Sequence, residues 1–233
     1  MQNKILLLSD KPDPERDSLA QAWENAGGQL LRIGKFWIKP ELGDKQPVLY
    51  GNDSFCQVLA QLLNIELQSP KDEWMAQLPA AFVKRKVELT DAQNLERIQF
   101  PKFIKPVQPK LFKAAIYTDA SAILHQLLPS EMDSPLLCSD IVDVDKEVRS
   151  FILDKKVLDL AYYEGSGDLA APLTFIEQFL SKTDLPLPAS FVLDIGFNDQ
   201  LGWFIIEFNA AWGAGLNCCV AERVLGAVGA ATG

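Results

Sequence analysis

The residues of this 233-residue chain best placed to do chemistry lie in two apolar runs near its C-terminus. Phe191-Val192-Leu193-Asp194-Ile195-Gly196 leads into a turn, and Trp203-Phe204-Ile205-Ile206-Glu207-Phe208-Asn209 follows it. Both runs have strand propensity, and Asn198-Asp199-Gln200-Leu201-Gly202 between them is turn chemistry, so the segment predicts a hairpin. Side chains alternate across a strand, which puts Glu207 and Asn209 on one face. With a four-residue loop, Asp199 to Gly202, Asn198 faces Trp203 and Asp194 faces Glu207. Two carboxylates and an amide then converge on one point. Hard oxygen ligands of this kind suit Mg2+ or Mn2+, with water and phosphate oxygens completing the shell. Any one acid alone reads as a solvated strand end, the usual case beside a turn. Three on one face inside apolar sequence are harder to explain that way, because a buried carboxylate without a cation or donor costs several kcal/mol.

These side chains need a scaffold, and the pattern along the chain supplies one. The first seventy or so residues read as a small α/β unit. Lys4 to Leu8, Gln29 to Ile33 and Gln46 to Tyr50 are strands; Ser18 to Ala26 is a helix stopped by Gly27-Gly28, and Asn52-Asp53-Ser54 caps another through Leu63. Ser69-Pro70 marks a further helix start. Beyond Leu78 the reading is Ala81 to Leu89 and Phe100 to Lys105 as strands around a Thr90-capped helix. Ala115 to Tyr117 follows as a strand and Ser121 to Leu128 as a helix. Leu136 to Val142, Glu147 to Leu153 and Lys156 to Tyr163 read as an antiparallel run. An amphipathic helix from Pro172 to Ser181, the hairpin, and a helix from Cys218 to Ala227 close the chain. Strands in consecutive runs indicate α+β rather than a doubly wound parallel sheet.

Composition narrows the function classes. A mean hydropathy of +0.03 and 48% hydrophobic residues are those of an ordinary globular protein. Ile5-Leu6-Leu7-Leu8 is too short for a signal-peptide core, and no segment reaches membrane-spanning length, so a cytoplasmic protein with no membrane partner is expected. Cys56, Cys138, Cys218 and Cys219 show no CxxC spacing, and the single His125 cannot complete a zinc site with them. A net charge of −9 argues against nucleic acid. The charge is uneven, since residues 84–113 carry eight bases against three acids, a net +5. That island suits a small polyanion such as a nucleoside triphosphate. There is neither a GxGxxG after the first strand nor a GxxxxGK[ST] anywhere.

Four motifs occur in order: Phe103-Ile104-Lys105-Pro106; Ser139-Asp140-Ile141-Val142-Asp143 followed by Glu147-Val148-Arg149; Asp194-Ile195-Gly196; and Glu207-Phe208-Asn209 running on to Gly213-Ala214-Gly215. Their order and spacing resemble the ATP-grasp superfamily, and within it a small clade of stand-alone ATP-grasp domains, over roughly residues 80 to 225. The resemblance implies an α+β ATP-grasp fold of two subdomains clasping ATP, preceded by the small α/β domain. Divided accordingly, residues 1–75 are that domain, 76–140 the first subdomain and 141–233 the second, which carries the magnesium site.

It also implies roles. ATP and Mg2+ (or Mn2+) are the expected cofactors. Lys105 contacts phosphates, with Arg85, Lys86 and Lys113 as further basic groups. Ser139, Asp140 and Ile141 read the adenine edge through the linker backbone. Glu147 holds the ribose hydroxyls. Arg149 reaches phosphate or acyl substrate and is, with Lys105, the catalytic pair. Asp194, Glu207 and Asn209 match the metal ligands. One departure is plain: the family's glycine-rich phosphate flap should follow the strand lysine, yet residues 106–121 contain no glycine. Lys110 and Lys113 are the substitutes expected there. The implied activity is a carboxylate–amine ligase working through an acylphosphate on small-molecule, peptide or protein substrates. A phosphotransferase and a non-catalytic nucleotide binder are the alternatives, and a homodimer stays open.

Overall fold

A computed structural model describes residues 3–108 and 110–232. The chain divides into two compact units. One comprises residues 1–70, 146–195 and 208–233; the other comprises 71–145 and 196–207.

In the first unit, β1 (Lys4–Ser9), β2 (Gln29–Ile33) and β3 (Gln46–Leu49) form a parallel sheet in the order β2-β1-β3. Central β1 contributes Leu6, Leu7 and Leu8, all fully buried, as expected of a parallel strand covered on both faces. Helix α1 (Pro14–Asn25) begins ahead of the expected start at Ser18. The Asp13 carboxylate caps the Arg16 amide at 2.9 Å and Pro14 fits the first helical position, so Ser18 is already inside the helix. Helix α2 (Asp53–Leu63) has the expected Asn52 cap and ends on left-handed Asn64. Trp23, Phe55, Phe151, Val192 and Val228 share one core.

The second unit holds an antiparallel sheet ordered β4-β7-β5-β6, formed by β4 (Val87–Asp91), β5 (Lys102–Pro106), β6 (Ala115–Tyr117) and β7 (Pro135–Ser139). Three expectations are corrected here. Residues 81–89 are not one strand: α3 (Ala80–Val83) makes a single turn, left-handed Lys84 ends it, and only Val87 onward is extended. The helix read at Thr90 is a 3-10 helix, Ala92–Arg97, whose cap is Asp91. The helix expected over Ser121 to Leu128 ends at Leu124 as α4 (Ser121–Leu124).

Nor does β7 start an antiparallel run with the strands that follow. It pairs with β4 and β5, whereas β8 (Lys146–Leu153) and β9 (Lys156–Glu164) lie in another sheet, in the order β11 (Gly202–Asn209), β10 (Ser190–Asn198), β8, β9. Asp154 and Lys155, both left-handed, join β8 to β9 as a two-residue hairpin turn. Helices α5 (Ala170–Lys182) and α6 (Ala221–Ala230) complete the chain. Cys56, Cys138 and Cys219 are buried thiols and Cys218 is exposed. Among the described residues no helix is long and apolar enough to cross a membrane.

The hairpin singled out from sequence forms from β10 (Ser190–Asn198) and β11 (Gly202–Asn209). Three residues lie between the strands, an odd number that would put Asp194 and Glu207 on opposite faces. Gly202, however, has φ +69°. The turn nonetheless keeps the odd register, since Gly196 shares a face with Phe204, whose ring a Cβ there would meet at 2.9 Å, and Phe197 packs on Trp203. The Asn198 side chain closes the turn by accepting the Gln200 and Leu201 amides at 3.1 and 2.8 Å.

Candidate functional site

In the second unit, strand register alone builds a pocket. On the sheet, Val87 pairs with Ser139, Ser139 with Phe103, Phe103 with Ile116, and Lys105 with Leu137. Alternation sends Ile104, Leu136 and Cys138 to the opposite side, where they are buried in a separate core with Leu95 and Ile123. The facing residues, with Met75, Ile141, Val144, Phe204 and Ile206, line a cavity of about 220 Å3. Its wall is largely apolar, and Lys105, Asp72 and Glu207 form its charged end.

The Lys105 ammonium lies 2.9 Å from Asp72 and 3.6 Å from Glu207. Burial disfavours the charge, but the two carboxylates outweigh it and raise the pKa above the ordinary lysine value. Lys105 is therefore a cation held by two anions at the end of an apolar slot. Asp72 carries no recognisable motif and is not among the sequence candidates. Its reach to a lysine 33 residues away has no local signature.

Arg85 lines the same pocket, yet its guanidinium is committed to the fold. It donates to the carbonyls of Val83, Ile205 and Ile206 at 3.0, 2.8 and 3.3 Å and to the Ser139 hydroxyl at 2.9 Å, and it lies 5.7 Å from the centre of the Phe204 ring. Burial lowers its pKa to about 10, still cationic at neutral pH. Lys86 is exposed and paired with Glu88 at 2.8 Å, and it does not line the cavity. Nor does Lys113, whose carbonyl accepts from the Tyr117 hydroxyl, or Lys110, which is left-handed. Arg85→Ala is expected to destabilise by about 2–3 kcal/mol through the lost charge-assisted hydrogen bonds. Lys86→Ala should change neither the unfolding midpoint nor nucleotide affinity. Chemical denaturation and calorimetric titration of the two variants check both statements.

Ser139, Asp140 and Ile141 border the cavity. Their backbone is less available than the linker reading requires. The Asp140 amide donates to the Lys86 carbonyl at 2.9 Å, and its carboxylate accepts from Lys102, which, ahead of opposing burial, lowers its pKa. Ile141 and Val142 are left as the next backbone groups along the wall.

The first unit contains the other half of the candidate residues. Asp194 is 1% exposed, and Arg149 grips it with two parallel bonds, Nε to Oδ1 at 2.9 Å and Nη2 to Oδ2 at 2.6 Å. Asn209 donates its amide to Oδ2 at 2.9 Å. That bond places Asn209 on the same face as Asp194, and Glu207, two residues earlier on β11, shares the face by alternation. Arg149 also donates to the Gly215 carbonyl at 3.0 Å and lies 5.7 Å from the centre of the Tyr163 ring. Glu147 accepts from the Tyr163 hydroxyl, whose pKa is raised by burial first and then by this bond. Sequence placed Glu147 and Arg149 on one strand face, and both meet the Tyr163 side chain; the extra residue of the bulge beside them is Tyr163 on β9.

Among the described residues no three His, Cys, Asp or Glu side chains gather as a metal centre. Asp194, Glu207 and Asn209 are a different donor set, two carboxylates and an amide. All three offer oxygen, which fits a hard cation. Asp194 would share such an ion with Arg149, which already bonds both of its oxygens.

The sequence over residues 82–227, more than half of the chain, matches the model of an ATP-grasp domain family, the second family of its clade. No curated protein sequence matches. Solved structures do. The RimK domain ATP-grasp protein from Sphaerobacter thermophilus is 15% identical, with a TM-score of 0.63 over 97% of this chain and 99% of its own. The L-amino acid ligase from Bacillus licheniformis is 10% identical, with a TM-score of 0.56 over 98% of this chain and 75% of its own. The D-cycloserine synthetase DcsG is 14% identical, with a TM-score of 0.55 over 96% of this chain and 98% of its own. At these identities the likeness is one of fold.

Proposed function

Because the chain belongs to the ATP-grasp superfamily, we propose that it is an ATP- and magnesium-dependent ligase joining a carboxylate to an amine. The observation that carries this reading is the pocket of the second unit, an apolar slot ending in Lys105. A planar purine suits the slot, and a flexible ammonium suits phosphoryl oxygens that move during transfer. Ile141 and Val142 supply the backbone edge for the base. Two similar structures carry ligase or synthetase in their names, which agrees with the proposal.

Asp194, Glu207 and Asn209 are the side chains that would hold Mg2+. A bound Mg2+ would neutralise phosphate charge. The protein's own contribution is positioning. Arg149, fixed by Asp194, the Gly215 carbonyl and the Tyr163 ring, is a preorganised cation whose geometry costs nothing to set at the moment of reaction. A substrate carboxylate attacks the γ-phosphorus, ADP leaves, and an acylphosphate forms. The amine then takes the acyl carbon and phosphate departs. No side-chain nucleophile is required, in keeping with the buried thiols of Cys56, Cys138 and Cys219.

The test is product analysis with Mg2+, ATP and pools of carboxylates and amines. The proposal expects ADP and phosphate to appear only when both partners are present, with an amide as product. A stable phosphorylated acceptor formed without amine would make the protein a phosphotransferase. Binding of a non-hydrolysable ATP analogue without turnover on any pool would make it a nucleotide-binding protein.

A further inference from the structure

We propose that Tyr163 is a positioning residue for the nucleotide, its hydroxyl setting the Glu147 carboxylate and its ring setting the Arg149 guanidinium. The inference rests on the nucleotide reading above, with Glu147 on the ribose hydroxyls and Arg149 at phosphate, and it names the side chain that aligns the two. All three residues belong to the first unit.

The bulge between β8 and β9 brings Tyr163 there. Ala161 pairs with Arg149 and Tyr162 with Val148, but the next residue along β8, Glu147, pairs with Glu164. An unbulged ladder would set Tyr163 directly across from Glu147. As the extra residue it lies instead between the rungs of Val148 and Glu147, and bulges of this kind re-aim a side chain. The Tyr163 hydroxyl donates to the Glu147 carboxylate, and the Arg149 guanidinium lies 5.7 Å from the centre of its ring. Neighbouring Tyr162 is used elsewhere, its hydroxyl donating to the Asp168 carbonyl at 3.1 Å.

Each half of the Tyr163 side chain has its own task. Glutamate is long and flexible, so ordering it around a ligand costs conformational entropy. A donor already seated on one carboxylate oxygen settles that cost before the ligand arrives, and the other lone pairs of the carboxylate suit the two hydroxyls of a ribose. The donor must keep its proton. Burial first, then the bond to Glu147, push the Tyr163 pKa up, so no second negative charge forms beside the phosphates.

The ring does the corresponding work for Arg149. The guanidinium gives in-plane N–H groups to Asp194 and to the Gly215 carbonyl, while the aromatic face supports the plane itself. A carboxylate that takes hydroxyls and a guanidinium that takes phosphate oxygens, aligned by one phenol, complement a ribose phosphate. Phenylalanine would keep the face and lose the donor, and leucine would lose both, so the two tasks are separable.

The experiment is calorimetric titration of the full chain in Mg2+ with a non-hydrolysable ATP analogue, its 2′-deoxy form and AMP. The wild type should prefer the ribose form over the deoxy form by about tenfold, and the triphosphate analogue over AMP. Tyr163→Phe should weaken the ribose form about tenfold and bring that preference near parity, while holding the ratio of triphosphate to AMP within about threefold. Tyr163→Leu should also lose about tenfold of the triphosphate-to-AMP ratio. The wild-type comparison of ribose and deoxy forms stands even if Tyr163→Leu fails to fold. Equal binding of those two forms by the wild type overturns the role of Tyr163 and leaves the ligase standing. So does a Tyr163→Phe variant that keeps the full preference, or one that weakens all three ligands alike, the mark of a side chain that only packs. No binding of the analogue by the wild type overturns the nucleotide reading, and the role of Tyr163 with it.

Discussion

Asp194→Ala is expected to lose about 3–5 kcal/mol of folding stability, read as a fall in the urea midpoint. Asp194 is 1% exposed and Arg149 is 9% exposed, so removing the carboxylate strands a guanidinium in the protein interior. The Asn209 amide loses its acceptor in the same step. Replacing both ends of the pair, as Asp194→Leu with Arg149→Met, should recover most of that loss, because it is the unmatched charge rather than the missing bond that is costly. A single-variant loss under about 1 kcal/mol, or a double variant no better than the single, would show that the pair is not the buried unit described above.

Glu207→Ala is expected to fail in the opposite manner. Its side chain is 39% exposed and its contact with Lys105 is 3.6 Å, so stability should stay within about 1 kcal/mol of the parent. Mg2+-dependent ATP turnover should fall about a hundred- to a thousandfold, the usual cost of deleting one group that stabilises transition-state charge. Circular dichroism establishes that the variant is folded, and ADP release measures the loss. Retained turnover would count against Glu207 as a metal ligand and against the ligase with it. Two carboxylates proposed for one ion thus separate cleanly: loss of one should weaken the fold, loss of the other should only silence the activity.

How much of this was legible in the sequence depends on how far each feature reaches. The face shared by Glu207 and Asn209 follows from period-two alternation, which is local, whereas the bond from Asn209 to Asp194 does not follow from the three-residue turn. The strand lysine and the three strands of the small α/β unit were legible for the same reason. Residues 81–89 were misread because a short apolar run fits helix and strand alike, and the left-handed break at Lys84 has no glycine to announce it. The partner of β7 could not be read, since pairing with β4 and β5 rather than β8 is decided by a sheet assembled from distant segments. Arg85 was expected beside phosphate because the resemblance puts a second basic residue there, within the basic island. What it does is set by the Ile205 and Ile206 carbonyls, 120 and 121 residues away. Charge composition marks where cations are concentrated and says little about which of them are spent on the fold.

The pairing of Lys105 with Asp72 has a consequence for selectivity. A lone lysine at the end of an apolar slot would attract any passing anion. Here an incoming group must displace a carboxylate already seated at 2.9 Å. Chloride, acetate or a single phosphate ester offers little more charge than Asp72 does, whereas a triphosphate offers several negative charges in series. On the proposed ligase reading Lys105 works as a threshold, with Asp72 setting its height, and nucleosides can sample the slot without disturbing it. The same carboxylate that keeps the site quiet also keeps the ammonium charged and aligned for the ligand able to displace it.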